Sequence, residues 1–232
     1  MHCYKALQPF TALSFDLDDT LYHNDVVIEQ AELAMQHRLL QLLPQFGAIE
    51  PGFWWQQRKA LAAEQPEVRH DVSRWRLLGL ERGLYQLGLP QCEADEIAEL
   101  AFHAFYQQRS NFEVPQSSHQ LLAAFAEKYP LVSMTNGNAD LHRLGIARYF
   151  QHNLRAGPDG RMKPFPDLFR KACQLLTIQP SQLLHIGDNA KADVSGALNA
   201  GCQAVWLQHP GQQTGILPQI RISTLDQLQL LL

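Results

Sequence analysis

The sequence predicts an α/β protein that combines a doubly wound parallel sheet with a second part built from helices alone. Short apolar runs that read as strands, at 11–16, 130–135 and 183–187, each end in polar residues. They alternate with helical segments, which is the pattern of parallel β-α-β units. Between the first two runs, residues 22–110 show helical spacing throughout, and this length is excessive for a crossover between neighbouring strands. We therefore predict a helical domain inserted into an α/β core.

The composition is that of an ordinary globular protein of 232 residues, 46% hydrophobic and 18% charged, with a formal net charge of −4. The 19 lysines and arginines form no basic block, so we expect no nucleic-acid partner. The four cysteines are widely separated, which predicts neither a zinc site nor a disulfide framework. The sequence shows no signal-peptide core and no apolar run of membrane-spanning length. We expect a cytoplasmic protein without a membrane partner, and both monomer and dimer stay open.

The inserted domain is predicted at 22–110 and the α/β core at 1–21 together with 111–232. Apolar residues recur at helical spacing from Val26 to Leu43, and Pro44 ends this pattern. Further helices of the insert are predicted at 51–65, 71–88 and 93–108.

The rest of the chain alternates between helices and strands. Helices are predicted at 115–128, 139–149, 164–176 and 190–200. Pro164 suits the first helical position of the third of these, and Gly201 suits the C-terminal cap of the last. Strands are predicted at 152–156 and 202–207, with a last edge strand at 221–223.

Three carboxylates follow the first strand within four positions: Asp16, Asp18 and Asp19. Asp16 and Asp18 are two apart, so they share one face of an extended chain. Because like charges this close repel one another, a cation among them is favoured, and oxygen ligands select a hard ion such as Mg²⁺. The alternative at this point is a solvated turn in which Asp19 or Thr20 caps a helix.

Polar residues also follow the later strands: Thr135 and Asn136, then Lys163, then Asp188 with Asp193. Taken singly, the first pair fits a turn, Lys163 fits a solvated side chain, and Asp188 fits a helix N-cap. In a parallel sheet, however, the carboxyl ends of strands face one ligand crevice. Their order along the chain therefore predicts a single site shared with the two acids of the first strand.

This set of groups suits phosphoryl transfer. A carboxylate can attack phosphorus and form an aspartyl-phosphate. A second carboxyl can protonate the leaving oxygen and then take a proton from the attacking water. A lysine, a threonine hydroxyl, backbone N–H groups and Mg²⁺ can offset the charge of the transferring group. We therefore predict an enzyme that acts on a small phosphorylated metabolite.

The order of these motifs resembles that of the haloacid dehalogenase superfamily. The motifs are Asp16-x-Asp18-x-Thr20, the strand-ending Thr135-Asn136, Lys163-Pro164 and Gly187-Asp188-Asn189-x-x-x-Asp193. The resemblance extends from residue 12 to about 208. It implies a Rossmann-like α/β core with the catalytic site, and a helical cap of the C1 type at 22–110 that closes over this site and selects the substrate.

The resemblance also implies roles for single residues. Asp16 resembles the nucleophile of the family, and Asp18 resembles its general acid and base. Thr135 and Lys163 resemble the phosphate ligands, and Asn136 is placed with them in substrate binding. The acid at Asp18 favours phosphate chemistry, because members that break carbon–halogen bonds do not need it.

For the metal, the resemblance implies Mg²⁺ held by Asp16, the backbone carbonyl of Asp18, and Asp188. Asp193 then orients the metal's water molecules or Lys163 without binding the metal itself. Many members carry a second Asp where Asn189 stands, and because Asn still offers an oxygen we expect a small effect on metal binding.

Within the insert, Asn24 and Arg74 are the candidates for contact with substrate. Asn24 closely follows the nucleophile loop. Arg74 lies in a run that also contains Trp75, and its guanidinium could bind an anionic part of the substrate. The alternative is that Arg74 is a solvated helix residue and that Trp75 belongs to the core of the insert. Lys59 is the one lysine of the insert, and a phosphonate-cleaving role for it is disfavoured.

Several stretches together, from Asp16–Tyr22 to Lys163–Pro164, resemble a narrower bacterial subgroup of phosphatases. Its members act on flavin mononucleotide and on the phosphorylated ribitylaminouracil intermediate of riboflavin synthesis. We therefore expect a Mg²⁺-dependent phosphomonoesterase that uses an aspartyl-phosphate. The alternatives are a sugar phosphomutase similar to β-phosphoglucomutase, and a non-catalytic ligand-binding protein on the same scaffold.

Overall fold

The structure is a computed structural model, and it describes residues 1–213 and 215–232. The chain divides into two compact units. The α/β unit comprises residues 1–23, 113–137 and 141–232, and the helical unit comprises residues 24–112 and 138–140.

The α/β unit contains a seven-stranded sheet in the order β1-β7-β6-β5-β2-β3-β4. The strands are β1 His2–Cys3, β2 Ala12–Phe15, β3 Leu131–Thr135, β4 His152–Arg155, β5 Leu183–Gly187, β6 Gln203–Leu207 and β7 Ile220–Ile222. All neighbouring pairs are parallel except β1 with β7. The α-helices of this unit are α5 Gln116–Ala126, α6 Asp167–Leu176 and α7 Gly196–Asn199. The predicted α/β class with a mostly parallel sheet is confirmed.

The central strands are buried on both faces. Every residue of β2, β3, β5 and β6 is buried. Strands covered by helices on both sides carry apolar residues in near-continuous runs, as β2 and β3 do. A polar residue inside such a strand therefore requires a partner, and Ser14 in β2 and His185 in β5 are two such residues.

The helical unit is built from four helices: α1 Asp25–Leu42, α2 Pro51–Glu64, α3 Val72–Gln86 and α4 Gln91–Arg109. In α1 the buried residues Ala31, Met35 and Leu39 recur every four positions, so one face packs into the core of this unit. Helices α2 and α3 approach closely at Gly83, where a Cβ atom would lie 2.6 Å from the Trp54 ring. The helical character predicted for this part of the chain is confirmed.

One prediction about the sheet edge was wrong, and one strand there was not predicted. The strand predicted at 221–223 is β7, but it is not an edge strand, because β1 pairs with it in antiparallel fashion. Strand β1 was not predicted, since two residues are too few to show any alternation.

Two predictions about helices also differ from the structure. The segment 139–149 forms turns and a short 3₁₀ helix at Ala147–Tyr149 instead of an α-helix. The single turn there ends at Gly145, whose φ of 69° is left-handed. Helix α6 begins at Asp167 and not at Pro164, because Pro166 disfavours helical backbone at the residue before it and occupies the N-cap position.

Candidate active site

Three neighbouring strands of the α/β unit bring the predicted acids and phosphate ligands together. Strand β2 lies between β5 and β3, so Asp16, Thr135 and Asp188 come from adjacent strand ends. The backbone N–H of Asp16 donates to the carbonyl of Ile186 at 2.9 Å, which fixes the nucleophile candidate against β5. The backbone carbonyl of Asp188 accepts the indole N–H of Trp206 at 2.8 Å.

Lys163 is the buried cation of this site. Its side chain is 1% exposed, and its Nζ donates to Asp16 Oδ1 at 2.8 Å, Asp193 Oδ1 at 2.6 Å and the carbonyl of Met134 at 2.7 Å. Burial alone would lower the pKa of the Lys163 ammonium, but the two carboxylates reverse this and raise it above its ordinary value. Lys163 is therefore a fixed positive charge directly beside Asp16.

Asn136 holds the backbone of Lys163. Its Oδ1 accepts the Lys163 N–H at 2.7 Å, and its Nδ2 donates to the Lys163 carbonyl at 2.9 Å. Through these two hydrogen bonds Asn136 positions Lys163, a role that the sequence did not reveal. The substrate contact expected for Asn136 stays a prediction.

Thr135 ends β3 and is buried. Its Oγ1 accepts the N–H of Gly137 at 2.8 Å. This bond orders the turn after the strand and orients the hydroxyl, which keeps its own proton available for a phosphate oxygen. The phosphate contact itself stays a prediction.

Asp193 is the second carboxylate that binds Lys163. Its Oδ1 is shared by Lys163 and by His185 Nε2 at 3.1 Å, and its Oδ2 accepts the N–H of Asn189 at 2.9 Å. Burial opposes ionisation of Asp193, but Lys163 and His185 outweigh it and hold the pKa of the carboxyl well below its ordinary value. A Cβ atom at Gly187 would collide with the Asp193 carboxyl, so glycine is required there.

The electrostatics of Asp16 follow from the same contacts. Burial raises the pKa of the Asp16 carboxyl above its ordinary value, the charge of Lys163 opposes this, and the carboxylates of Asp193 and Asp18 add to it. A divalent cation near these groups would favour the ionised, nucleophilic form of Asp16.

The acids also form a cluster that fits a metal ion. Carboxylate oxygens of Asp16, Asp188 and Asp193 lie within 4.8 Å of one another. Burial, together with Asp193 and Asp19, raises the pKa of Asp188 to about 6, and this excess negative charge is what a cation would relieve. The oxygens of Asp193 already accept from Lys163, His185 and Asn189. These contacts suit the expected role of orienting Lys163 better than the role of a metal ligand.

Asn189 caps the helical segment that follows the site. Its Oδ1 accepts the N–H groups of Lys191 at 3.1 Å and Ala192 at 2.9 Å. The helix N-cap considered for Asp188 is therefore supplied by Asn189. The segment predicted as one helix at 190–200 consists of a π-helix at Ala190–Ser195 followed by α7, and Gly201 after it has a φ of 84°.

The loop after β2 turns sharply at Asp19, whose φ is 57°. The Asp19 N–H donates to the carbonyl of Tyr22 at 2.8 Å, and its carbonyl accepts from His209 Nε2 at 2.7 Å. This geometry orders the turn that carries Asp18, the acid–base candidate. His209 lies in the loop after β6, and no motif in the sequence pointed to it.

The two candidates from the insert lie in the helical unit. The backbone carbonyl of Asn24 accepts from Ile28 at the start of α1, at 2.9 Å. Arg74 is exposed in the first turn of α3, where its N–H donates to Asp71 Oδ1 at 3.0 Å. Among the residues that the structure describes, no carboxylate forms an ion pair with Arg74, so its guanidinium can accept an anionic partner.

Comparison with known proteins agrees with this geometry. The family model described as haloacid dehalogenase-like hydrolase matches residues 10–201.

Within residues 1–213 and 215–232, no helix has the length and apolar character needed to cross a bilayer.

Individual relatives and a solved structure also match the chain. The chain is 38% identical to 5-amino-6-(5-phospho-D-ribitylamino)uracil phosphatase YigB of Escherichia coli (strain K12), over 98% of both chains. It is 36% identical to phosphoserine phosphatase of Thermus thermophilus, over 52% of this chain and 49% of that protein. Among solved structures, 2-haloacid dehalogenase from Pseudomonas syringae pv. Tomato DC3000 superimposes with a TM-score of 0.89 and 32% identity, over 95% of this chain and 96% of that one.

Proposed function

The chain belongs to the haloacid dehalogenase-like hydrolase family and is a phosphoric monoester hydrolase, and from this premise we propose that it is a Mg²⁺-dependent phosphatase working through an aspartyl-phosphate. The observation that supports this most is the pairing of Asp16 with Lys163 beside the acid cluster. A buried carboxylate next to a fixed cation can serve as a nucleophile toward an anionic phosphate.

In the first step, Asp16 attacks phosphorus and the bond to the ester oxygen breaks. Asp18 donates a proton to that oxygen, and the alcohol leaves. Lys163 and the hydroxyl of Thr135 stabilise the charge that spreads over the phosphoryl oxygens. In the second step, Asp18 takes a proton from water, the water attacks phosphorus, and Asp16 is released with inorganic phosphate.

Asp16, the Asp18 carbonyl and Asp188 would hold Mg²⁺. When bound, this ion offsets the repulsion between the carboxylates and the phosphate and orients the transferring group. Asp193 is then left to position Lys163, as its hydrogen bonds indicate.

We propose the phosphorylated ribitylaminouracil or flavin mononucleotide as the substrate class. The proposal draws on the E. coli relative, whose name gives the first of these compounds. Both molecules carry a phosphate ester at the end of a ribityl chain and differ in the ring at its other end. A site that recognises the shared ester would accept both, and the ring would then decide the ranking.

We assign the choice among substrates to the helical unit. Arg74 supports this assignment, because it is exposed and lacks an ion-pair partner within the described chain. Asn24 follows the catalytic loop directly and is the second residue we assign to substrate contact.

The test is phosphate release from a panel of esters by the wild type and by Asp16→Asn, with Mg²⁺ or with chelator. The panel contains the ribitylaminouracil phosphate, flavin mononucleotide, sugar phosphates and nucleotides. We expect metal-dependent release by the wild type alone. Isomerised sugar phosphate without free phosphate would favour the mutase, and no turnover of any ester would favour a binding protein.

A second candidate activity comes from the similar solved structure, whose name is that of a 2-haloacid dehalogenase. Halide release from a 2-haloacid is therefore measured beside the phosphate panel. Asp18 favours the phosphatase, because an ester oxygen needs a proton to leave and a halide does not. Halide release that exceeds phosphate release would reverse this assignment.

A further inference from the structure

A hydrogen-bonded line of buried side chains runs from the middle of the sheet to the active site. Ser14 in β2 and His185 in β5 are direct partners in the strand register, and Ser14 Oγ lies 2.8 Å from His185 Nδ1. The other ring nitrogen, Nε2, lies 3.1 Å from Asp193 Oδ1, which Lys163 contacts at 2.6 Å. Lys163 in turn contacts Asp16. The mechanism above uses neither Ser14 nor His185.

The chemistry of these groups fixes the direction of the hydrogen bond between His185 and Asp193. Asp193 is a carboxylate braced by Lys163 and the N–H of Asn189, so it can accept and cannot donate. His185 Nε2 must therefore carry the proton. Burial lowers the pKa of the His185 ring, Lys163 adds to this, and Asp193 and the backbone of Ser14 oppose it. A neutral ring with its proton on Nε2 leaves Nδ1 as an acceptor for the Ser14 hydroxyl.

We propose that His185, with its Nε2 proton directed at Asp193 and its Nδ1 held by Ser14, is a positioning residue that holds Asp193 and thereby keeps the Lys163 ammonium on the nucleophile. The kinetic part of this inference rests on the proposed function, and the structural part does not. A hydrogen-bond partner behind a first contact commonly fixes the orientation of that contact.

The contacts around Asp193 show why His185 matters. Without His185, Asp193 would keep only the Lys163 ammonium on Oδ1 and the Asn189 N–H on Oδ2, so the carboxylate would be held less firmly about its Cβ–Cγ bond. Lys163 has several rotatable bonds, so a displaced Asp193 would allow its ammonium to move away from Asp16. The His185 ring is fully buried and packs edge-on against Phe169, with 5.1 Å between the ring centroids and 89° between the ring planes. This packing holds the ring in one orientation.

Two amide variants separate the positioning role from a packing role. In His185→Gln, the amide nitrogen can reach the place of Nε2 and donate to Asp193. In His185→Asn, the shorter side chain reaches the place of Nδ1 alone. We expect kcat to fall about 10- to 100-fold in His185→Asn and to stay within about threefold of wild type in His185→Gln, with KM changed less than about twofold in both. Equal losses in the two variants would overturn the proposal.

His185→Phe serves as a third variant, because a phenyl ring keeps the apolar packing against Phe169 and removes both hydrogen bonds. Thermal unfolding and near-ultraviolet circular dichroism verify that each variant is folded. We expect His185→Phe to match His185→Asn in kcat. Wild-type kcat in a folded His185→Phe would overturn the proposal while leaving the phosphatase assignment intact.

Nitrogen-15 NMR of the wild type tests the structural part without any turnover. We expect a pyrrole-type signal at Nε2 and a pyridine-type signal at Nδ1 of His185. We also expect the Lys163 ammonium to be protected from solvent exchange in the wild type and His185→Gln, and exposed to it in His185→Asn. A proton on Nδ1, or unchanged protection of Lys163 in His185→Asn, would overturn the inference even if the protein hydrolysed no ester.

Discussion

Replacement of Lys163 by methionine removes the buried cation that Asp16, Asp193 and the Met134 carbonyl share. Methionine fills similar space, so the main effect is two buried carboxylates without their counter-charge. Removal of one partner from a buried ion pair costs about 3–5 kcal/mol of folding free energy. For a chain of this size, each kcal/mol lowers the melting temperature by roughly 2–4 °C. We therefore expect the metal-free variant to melt about 6–20 °C below the wild type.

The matched control is Lys171→Met. Lys171 pairs with Asp159 at 2.8 Å, but its side chain is 39% exposed. An ion pair of this kind contributes about 0–1 kcal/mol, so the same change of side chain should have little effect there. Melting temperatures of the three proteins are compared by differential scanning calorimetry in the presence of chelator.

The destabilisation of Lys163→Met should also depend on pH, with a defined sign. In the wild type, the depressed pKa of Asp193 contributes stability that is present above its unfolded value and lost on acidification. In the variant, Asp16 and Asp193 are buried without a cation, so their pKa values lie above the unfolded values and acid favours the folded state. The difference in melting temperature between the wild type and Lys163→Met should therefore become smaller as the pH is lowered from about 7.5 to about 4.5. A constant gap, or one no larger than that of Lys171→Met, would refute the reasoning.

The other predictions concern activity. Asp16→Asn should lower kcat by at least ~10⁴-fold, because an amide is a poor nucleophile, and residual turnover near the wild-type rate in a phosphate-release assay would contradict the mechanism. Arg74→Ala should change the ranking of substrates and spare the smallest ester, and an unchanged ranking across the panel would leave Arg74 as a scaffold residue. Mg²⁺ must displace a proton from Asp188, so the Mg²⁺ concentration for half-maximal activity should rise by about tenfold per pH unit below the Asp188 pKa of about 6. A Mg²⁺ requirement that does not change with pH in that range would contradict this.

The residues that could be predicted are those whose place follows from topology. Strand ends meet in a parallel sheet whatever the details of packing, so the order of Asp16, Thr135 and Asp188 along the chain was enough to bring them together. Lys163 could be assigned by its motif, but its three contacts could not, because they depend on how its loop folds back on β3.

Apart from Asp193, the residues that act through another side chain were beyond the reach of sequence patterns. Ser14 and His185 sit inside apolar strands and meet because the β2–β5 register sets them side by side. The Asn136 clamp on Lys163 and the His209 contact with Asp19 likewise join distant segments. Helical periodicity at 139–149 was overridden by the left-handed turn at Gly145. Apart from that local turn, the deciding contact in each case is tertiary, and no local spacing reports it.

The sheet order has a consequence for biosynthesis. Leu13 of β2 pairs with Leu131 of β3 and Leu184 of β5, so the ribosome makes β2 more than a hundred residues before either neighbour. Until then, this strand is an unpaired apolar segment, the kind of edge that invites association with other chains. The intervening residues have a core of their own. If they condense first, they shorten the loop that must close before β2 is covered. Mutations that weaken the helical core would then reduce the yield of active protein without any contact with the catalytic groups.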